Sequence, residues 1–522
     1  MPATLSPRPV LRRCAGAGAV ALALIGAGLP AAASDSPSRP DLSRFYRQKV
    51  GWTACGDDMP KDLECGKVTV PLDYDKPAAG TLDLALARYV TTGKSQGSVL
   101  LNFGGPGVPA VDQLADDGKD FMGLTNSYDV VGFDPRGVGR SSPVSCGDAT
   151  GTGSGTAERH ADLTDPRATL SWLRTVAQRC AAHSGPVLPH IGTVNTARDM
   201  DVIRQALGDK KLNYLGFSYG TKLGAVYAAQ FPDKVGRIAL DGVDTLTDSL
   251  AEQGVTTAEG QQTALDDFLD WCVADIACPF GQDRRLAGSG VVRLVRSLDE
   301  NPVPADYGGQ FTGQDLVSAI GQALYSEDLW PSLERAVASL VDDGDTRGVE
   351  NFAYGGMTVP RGRGGGLVDA ADVPADNTMA ALLAINCADD PDRPSAGRIT
   401  KDLARLRAEY EHASPVFGRH RLTEVLMCFG RPKGTDFIRH EVKNVDTAKM
   451  LLVGTRGDPA TPYRWTEQTA RRLGPSAVVL DNRGEGHTGY SSSKCVHRKI
   501  DDFLLYGSLP PSGSSCGPDT RT

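Results

Sequence analysis

The sequence predicts an α/β fold in which a mostly parallel central sheet carries helices on both faces. Apolar runs of strand length alternate with stretches of helical composition, and several of the runs end in glycine-rich turns, as strands do at the edge of a doubly wound sheet. One crossover is far too long for such a sheet. After Arg237-Ile-Ala-Leu-Asp-Gly-Val243, the next comparable run, Lys449-Met-Leu-Leu-Val453, comes roughly 200 residues later, so a large segment is inserted between them.

The chain opens with a leader. Arg8, Arg12 and Arg13 precede an apolar run from Ala15 to Leu29, and Ala31-Ala-Ala33 has the small residues of a cleavage site, so residues 1–33 read as a secretory signal peptide cut after Ala33. Cys14 lies before the apolar run, which argues against a lipid-anchored product. No later stretch is long and apolar enough to span a bilayer. Taking three arginines from the 55 basic residues leaves 52 against 64 acidic ones, a net charge of −12 that argues against nucleic acid or an anionic membrane as partner. Ten of the eleven cysteines follow the leader, an even number that suits disulfides in an exported chain. Local spacing suggests Cys55–Cys65, Cys272–Cys278 and Cys495–Cys516, with Cys146–Cys180 and Cys387–Cys428 left by elimination; spacing alone does not fix the connectivity. There is no Cys-x-x-Cys pair and the histidines do not cluster with cysteines, so no metal site and no cofactor are expected.

Ser34 to about Tyr46 is polar and rich in Pro and Ser, and reads as a mobile leader to the fold. Gly66–Tyr74 and Leu82–Val90 alternate as strands around the Lys76–Gly80 turn and form an antiparallel entry to the sheet. Ser98-Val-Leu-Leu-Asn-Phe103 is a buried strand that runs into Gly104-Gly-Pro-Gly107. Backbone N–H groups of such a turn can face a ligand, which makes Gly104 and Gly105 candidates for one half of an oxyanion hole. Tyr128–Phe133 is the next strand and ends in Asp134-Pro-Arg-Gly-Val-Gly-Arg-Ser141.

A helix follows from a capping-box-like start at Thr196-Ala-Arg-Asp199 to Gly208. Leu212–Leu215 is then a strand, Gly216-Phe-Ser-Tyr-Gly220 a sharp turn, and Thr221–Gln230 a helix. With 60 glycines in 522 residues, the bare Gly-x-Ser-x-Gly pattern arises by chance in on the order of a few tenths of such chains. Its helix, strand, turn, helix setting marks a nucleophile elbow, with the Ser218 hydroxyl raised above the sheet at a helix N-terminus and the Tyr219 N–H as the second oxyanion donor.

Gly104-Gly-Pro-Gly107, Asp134–Ser141 and Gly216–Gly220, in this order, resemble the α/β-hydrolase peptidases of the prolyl aminopeptidase kind. With Cys65-Gly-Lys-Val-Thr-Val-Pro-Leu-Asp-Tyr74 added, the chain is most similar to the larger secreted actinobacterial tripeptidyl aminopeptidases, over roughly Cys55 to Cys516. The smaller enzymes carry His before Gly-Gly-Pro-Gly, where this chain has Phe103. The resemblance implies an α/β-hydrolase fold, with its first part over residues 34–244 and its C-terminal part over 446–522; the inserted residues 245–445 read as a mainly helical cap over the site, with an independent domain elsewhere on the surface as the alternative. The inserted segment itself shows helical spacing at Gln261–Ala274, Gly313–Leu340 and Ile399–His412, broken by Pro302-Val-Pro304 and the Arg361–Gly366 glycine run.

A serine hydroxyl needs a histidine to take its proton and a carboxylate to orient that histidine, in the order Ser, acid, His in this fold. Asp458, in Gly-Asp-Pro-Ala-Thr-Pro462 just beyond a strand, matches the family's acid loop, and His487 follows the Ala477–Leu480 run in Arg483-Gly-Glu-Gly-His487. Asp481 and Asp241, each at a strand end, remain rivals for the acid. His497 falls in the final helix as a surface residue, and His160, His183 and His190 are assigned no chemistry.

The resemblance implies release of tripeptides from a free N-terminus, so peptides are the expected partners. Such an enzyme needs a negative group to pair with the substrate ammonium. Asp389 and Asp390, after Cys387, and Glu485 are the candidates. A carboxylesterase or lipase on the same scaffold is the alternative, since only the inserted segment would differ. A non-enzymatic binding protein would have lost a triad member, and none is missing.

Overall fold

The structure is a computed structural model that describes residues 40–56, 59–147, 166–355, 372–438 and 442–517. The chain divides into Met1–Pro40 and Asp41–Thr522, and the strands and helices of the described residues belong to the second unit. The proposed signal peptide, Cys14, His160 and the Arg361–Gly366 run lie outside the described residues.

Among the described residues ten strands form one sheet. In chain order they are β1 (Thr53–Ala54), β2 (Leu63–Pro71), β3 (Thr81–Tyr89), β4 (Ser98–Asn102), β5 (Asp129–Phe133), β6 (Leu212–Phe217), β7 (Val235–Asp241), then, after the two-stranded β8 (Val303–Pro304) and β9 (Gln310–Phe311), β10 (Met450–Gly457), β11 (Ala477–Glu485) and β12 (Ser515–Cys516). The spatial order is β1-β2-β3-β5-β4-β6-β7-β10-β11-β12. It is antiparallel as far as β5 and parallel from there on.

The apolar runs are continuous because both sheet faces are covered. Leu100, Tyr214, Leu240 and Leu452 point to one face, where helices α4 (Thr193–Leu207) and α5 (Tyr219–Gln230) pack. Their alternates Leu101, Leu215, Ala239, Leu451 and Val453 point to the other. There they meet α2 (Ala110–Asp117) and α15 (Lys494–Tyr506). The short α1 (Ser43–Tyr46) buries Phe45 in the first of these cores, so the expected mobile leader is already part of the fold by residue 43.

The helix preceding the elbow begins at Thr193, three residues ahead of the expected cap. Asp199 is not a capping residue: it is buried and accepts two hydrogen bonds from Arg136 at 2.6 and 2.7 Å and one from Tyr74 Oη at 2.8 Å. Arg136 also donates to the carbonyls of Pro71, Leu72 and His190, so the Asp134–Ser141 motif ties the sheet to α4. Gly208 ends α4 in the left-handed region, as its position suggested.

Between β7 and β10 run α6 (Leu250–Cys272), α7 (Arg284–Glu300), α8 (Gly313–Ala323), α9 (Trp330–Asp343), α10 (Arg347–Gly355), α11 (Asn377–Asp389), α12 (Ala396–Ala413) and α13 (Gly418–Arg421). Helix α14 (Tyr463–Leu473) packs on β10 and β11, and α3 (Pro166–Ser184) lies against α12. Helices α6 to α9 build a core of their own around Phe268, Leu316, Trp330 and Phe417. The stretch read as helical from Gly313 to Leu340 breaks after Leu324, where a single tight turn at Glu327–Leu329 redirects the chain into α9. Helix α11 is different: Ala380, Ala381, Ala384, Ile385 and Ala388 pack into the core of the sheet.

Among the described residues five disulfides are present: Cys55–Cys65, Cys146–Cys180, Cys272–Cys278, Cys387–Cys428 and Cys495–Cys516. Among the described residues, no helix is long and apolar enough to cross a membrane.

Candidate active site

Strand β6 ends at Phe217, and Ser218 follows with φ 54° and ψ −124° before α5 begins at Tyr219. A non-glycine residue in that region is strained and persists only where its neighbours force it. Here they do. A Cβ on Gly216 would sit 2.5 Å from the Gly220 carbonyl oxygen, and one on Gly220 would sit 2.7 Å from Asn102 Oδ1, so the elbow closes only with glycine at both places. Ser218 is the one half-exposed residue in a buried turn.

The Gly104–Gly107 turn lies against the elbow. A Cβ on Gly104, whose φ is +90°, would meet the Phe217 carbonyl oxygen at 2.7 Å, Ser218 Cβ at 2.9 Å and the Tyr219 nitrogen at 3.4 Å. The Gly104 N–H itself donates to Asn102 Oδ1 at 3.1 Å. The N–H of Gly105 donates to no group among the described residues, and that of Tyr219 falls in the unpaired first turn of α5. Of the two turns that meet at Ser218, each thus has one backbone N–H with no acceptor among the described residues.

His487 and Asp458 meet across the loops after β11 and β10. Nδ1 of His487 lies 2.9 Å from Asp458 Oδ1 and 3.0 Å from Oδ2. Asp458 is buried, and its carboxylate also accepts the N–H groups of Ala460 and Thr461 at 2.8 Å and the Thr461 hydroxyl at 2.9 Å. Burial pulls the imidazole pKa down. The charge and hydrogen bond of Asp458, with Asp241 and Asp244 beyond, lift it above the ordinary histidine value. The backbone N–H of His487 donates to the Tyr325 carbonyl at 2.9 Å, and the Tyr325 ring stands edge-on to the imidazole at 5.0 Å. Helix α6 reaches the same place through Gly260, where a Cβ would press on Pro462 and the Asp458 carbonyl.

The rival acids stand elsewhere. Asp481 pairs with Arg456 at 2.8 Å. Asp241 accepts the N–H groups of Gly489 and Tyr490 on its carboxylate and the Ser218 N–H on its carbonyl, and burial pushes its pKa up to about 6. Of the remaining histidines, His183 is exposed at the end of α3. His190 is half-buried beside Arg136, and His497 stacks on Tyr490 at 4.0 Å with Asp501 3.4 Å away.

Asp389 and Asp390 end α11, and their oxygens are engaged. Asp389 accepts the N–H and hydroxyl of Thr193, and Asp390 accepts the N–H groups of Leu250 and Asp392. Glu485 closes β11 two residues before His487. Its Oε2 is buried without a donor among the described residues, and burial, with Asp267 of α6 beside it, pushes its pKa up to about 7. Cys272, Cys278 and Glu334 are the only His/Cys/Asp/Glu group of metal-binding compactness among the described residues. Those two cysteines are bonded to each other and have no thiolate to offer.

The sequence reading missed Thr461 and Tyr325. The first was visible in the acid loop's Thr-Pro, whereas no local signal marks the second, which reaches His487 from a helix end about 160 residues upstream.

Comparison with known proteins gives two matching families, one described as the alpha/beta hydrolase fold over residues 99–338 and one as TAP-like protein over 414–516. The protein named serine protease Hip1 of Mycobacterium tuberculosis is 32% identical over 523 residues, covering 95% of this chain and 96% of its own. The tripeptidyl aminopeptidase of Streptomyces lividans is 31% identical over 503 residues, 91% of this chain and 88% of its own. A Mycobacterium tuberculosis protein named carboxylesterase B is 31% identical over 519 residues, 95% of this chain and 94% of its own.

Proposed function

Because the chain belongs to the tripeptidyl aminopeptidase-like family of α/β hydrolases, a serine hydrolase of the peptidase class, we propose that it is a secreted exopeptidase that removes tripeptides or other short peptides from free N-termini. The reading rests on two observations, a strained serine at a strand-to-helix elbow and, on the loop after β11, an imidazole held on a buried carboxylate. The five disulfides fit an exported chain.

In this reading His487 takes the Ser218 hydroxyl proton on Nε2 while Asp458 holds the Nδ1–H. The Ser218 oxygen bonds to the substrate carbonyl carbon, and the N–H groups of Tyr219 and Gly105 receive the oxyanion. His487 then gives its proton to the leaving amine as the C–N bond breaks, leaving an acyl-enzyme. Water, deprotonated by His487, attacks the ester and frees Ser218. Gly104 serves the hole by its close approach to Ser218 rather than by its own N–H, which Asn102 holds.

For the substrate ammonium the choice falls on Glu485. Asp389 and Asp390 are already committed to Thr193, Leu250 and Asp392, whereas Glu485 keeps an oxygen without a donor next to the His487 loop, and an ammonium would supply both the donor and the charge. A second reading, hydrolysis of small acyl esters, is favoured by the likeness to the protein named carboxylesterase B.

A fluorophosphonate probe tests the nucleophile. It should label the wild-type chain on Ser218 and leave Ser218→Ala unlabelled. Equal labelling of the two would rule the reading out.

A further inference from the structure

Helix α11 lies in the stretch between β7 and β10, yet it is pinned at three points to the part of the molecule that surrounds Ser218. At its start, the Asp376 carboxylate accepts the Cys146 N–H and the Ser145 hydroxyl, both at 2.7 Å. Asn377 accepts the Gly139 N–H at 2.8 Å and donates to the carbonyls of Gly137 and Val144 at 2.9 and 2.8 Å. In its first turns it touches the Gly104–Gly107 turn so closely that a Cβ on Gly107 would lie 2.7 Å from the Thr378 carbonyl oxygen and 3.0 Å from the Leu382 nitrogen. At its end, Asp389 accepts the Thr193 N–H at 2.8 Å and the Thr193 hydroxyl at 2.5 Å. That hydroxyl oxygen lies 2.6 Å from the phenol oxygen of Tyr219.

The polarity of this last chain is fixed by chemistry. Burial pushes the Asp389 carboxyl up to about 6, so at neutral pH it is a carboxylate and accepts. Thr193 therefore gives its proton to Asp389 and accepts from the Tyr219 phenol, which burial holds protonated. Tyr219 is the residue after the nucleophile. Its ring and its backbone are joined through only two side-chain torsions, so anchoring the phenol limits how far the peptide N–H can shift.

We propose that Thr193 and Asp389 are positioning residues for the oxyanion hole: from the end of α11, through the Tyr219 phenol, they hold the peptide N–H beside Ser218 in register with the Gly104–Gly107 turn that the same helix supports. This rests on the reading of Ser218 as nucleophile and of the Tyr219 N–H as oxyanion donor. The physical demand is strict, because preorganised donors lose their effect when displaced by a fraction of an ångström. A helix that touches both turns sets the distance between them. The consequence is that the segment after β7 is coupled to the chemistry by a buried hydrogen-bond chain as well as by whatever substrate contacts it makes.

The test uses the full chain with Thr193→Val, Thr193→Ser, Tyr219→Phe and Asp389→Asn, turned over on a tripeptide p-nitroanilide and a short-chain p-nitrophenyl ester, with a peptide boronic acid as oxyanion mimic. The expected result is a kcat about tenfold lower in Thr193→Val, Tyr219→Phe and Asp389→Asn, with KM within about twofold and the boronate Ki rising in parallel with the loss of kcat. Thr193→Ser, which keeps the hydroxyl, should stay close to wild type. Thr193→Val and Tyr219→Phe combined should be no worse than the weaker single variant, since they break one chain.

Unchanged kcat and boronate affinity in variants that melt like wild type would overturn the proposal, as would a loss in Thr193→Ser equal to that in Thr193→Val. Should Thr193→Val fail to fold, Tyr219→Phe and Thr193→Ser decide the matter by the same criteria. Full turnover in Ser218→Ala would sink the nucleophile reading and this proposal with it. An inactive Ser218→Ala beside unaltered Thr193 and Asp389 variants sinks this proposal alone.

Discussion

The carbonyl oxygen of Asp241 accepts the N–H of Ser218 at 2.9 Å, while the carboxylate of the same residue accepts the N–H groups of Gly489 and Tyr490 at 2.8 to 3.0 Å. One residue at the end of β7 therefore spans the gap between the elbow and the loop carrying His487. Asp241→Asn keeps the carbonyl contact but turns an NH2 group towards one of the two N–H donors. A buried donor left unpaired costs about 1–3 kcal/mol. The variant should melt earlier than wild type and lose kcat more than it gains in KM, as read by calorimetry and steady-state kinetics together.

The Asp458–His487 contact makes a statement about pH. The net effect of the surroundings is to raise the His487 pKa, and the base must be neutral to act, so the acid limb of kcat/KM should lie above the ordinary histidine value of about 6.5. Asp458→Asn removes the charge that lifts it. That limb should move to lower pH, and kcat should fall by about four orders of magnitude as the imidazole loses its tautomer. A pH–rate profile of the two proteins reads both effects.

Gly104→Ala is expected to spare the fold and damage the reaction. The new Cβ would press on the Phe217 carbonyl and on Ser218, at a φ that L-residues avoid. Displacing an oxyanion turn costs about 10²–10³ in kcat. Ester turnover and peptide turnover should fall by similar factors, because the hole serves both.

Glu485→Gln separates two roles. The carboxyl is raised to about 7, burial first and Asp267 second. A raised pKa means that this contact's contribution to stability is complete below the unfolded value of about 4.5 and is lost as pH climbs through about 7. Melting temperatures measured from pH 5.5 to 8.5 should therefore decline less in Glu485→Gln than in wild type. If the same carboxylate reads the substrate ammonium, the variant should also lose its preference for free over N-acetylated peptides.

The parts of the fold legible in the sequence were those where a buried strand leaves a continuous apolar run and a glycine turn ends it, as at Ser98–Asn102 before Gly104 and at Leu212–Phe217 before Ser218. Helix α6 shows what was not legible. Its first eleven residues contain Gly254 and Gly260, poor helix formers, and the helix runs through them because the Tyr410 hydroxyl and Pro462 pack where side chains would be. Thr196 and Asp199 resembled a cap because a buried ion pair and a capping box use the same residue types. At the site, Ser218, Asp458 and His487 stand in turns that carry their own signature. The chain from Asp389 through Thr193 to Tyr219 joins three elements distant in sequence and leaves no local pattern.

The central claim is hydrolysis by Ser218 at a free peptide N-terminus. Its most direct measurement is the turnover of an Ala-Pro-Ala p-nitroanilide beside its N-acetylated twin and a short-chain acyl ester, with Ser218→Ala as the blank. An exopeptidase of this kind cleaves the free-amine tripeptide, leaves the blocked one almost untouched, and shows no turnover in Ser218→Ala. If both peptides are ignored while the ester is hydrolysed, the exopeptidase assignment is contradicted, and the chain is an esterase on the same scaffold.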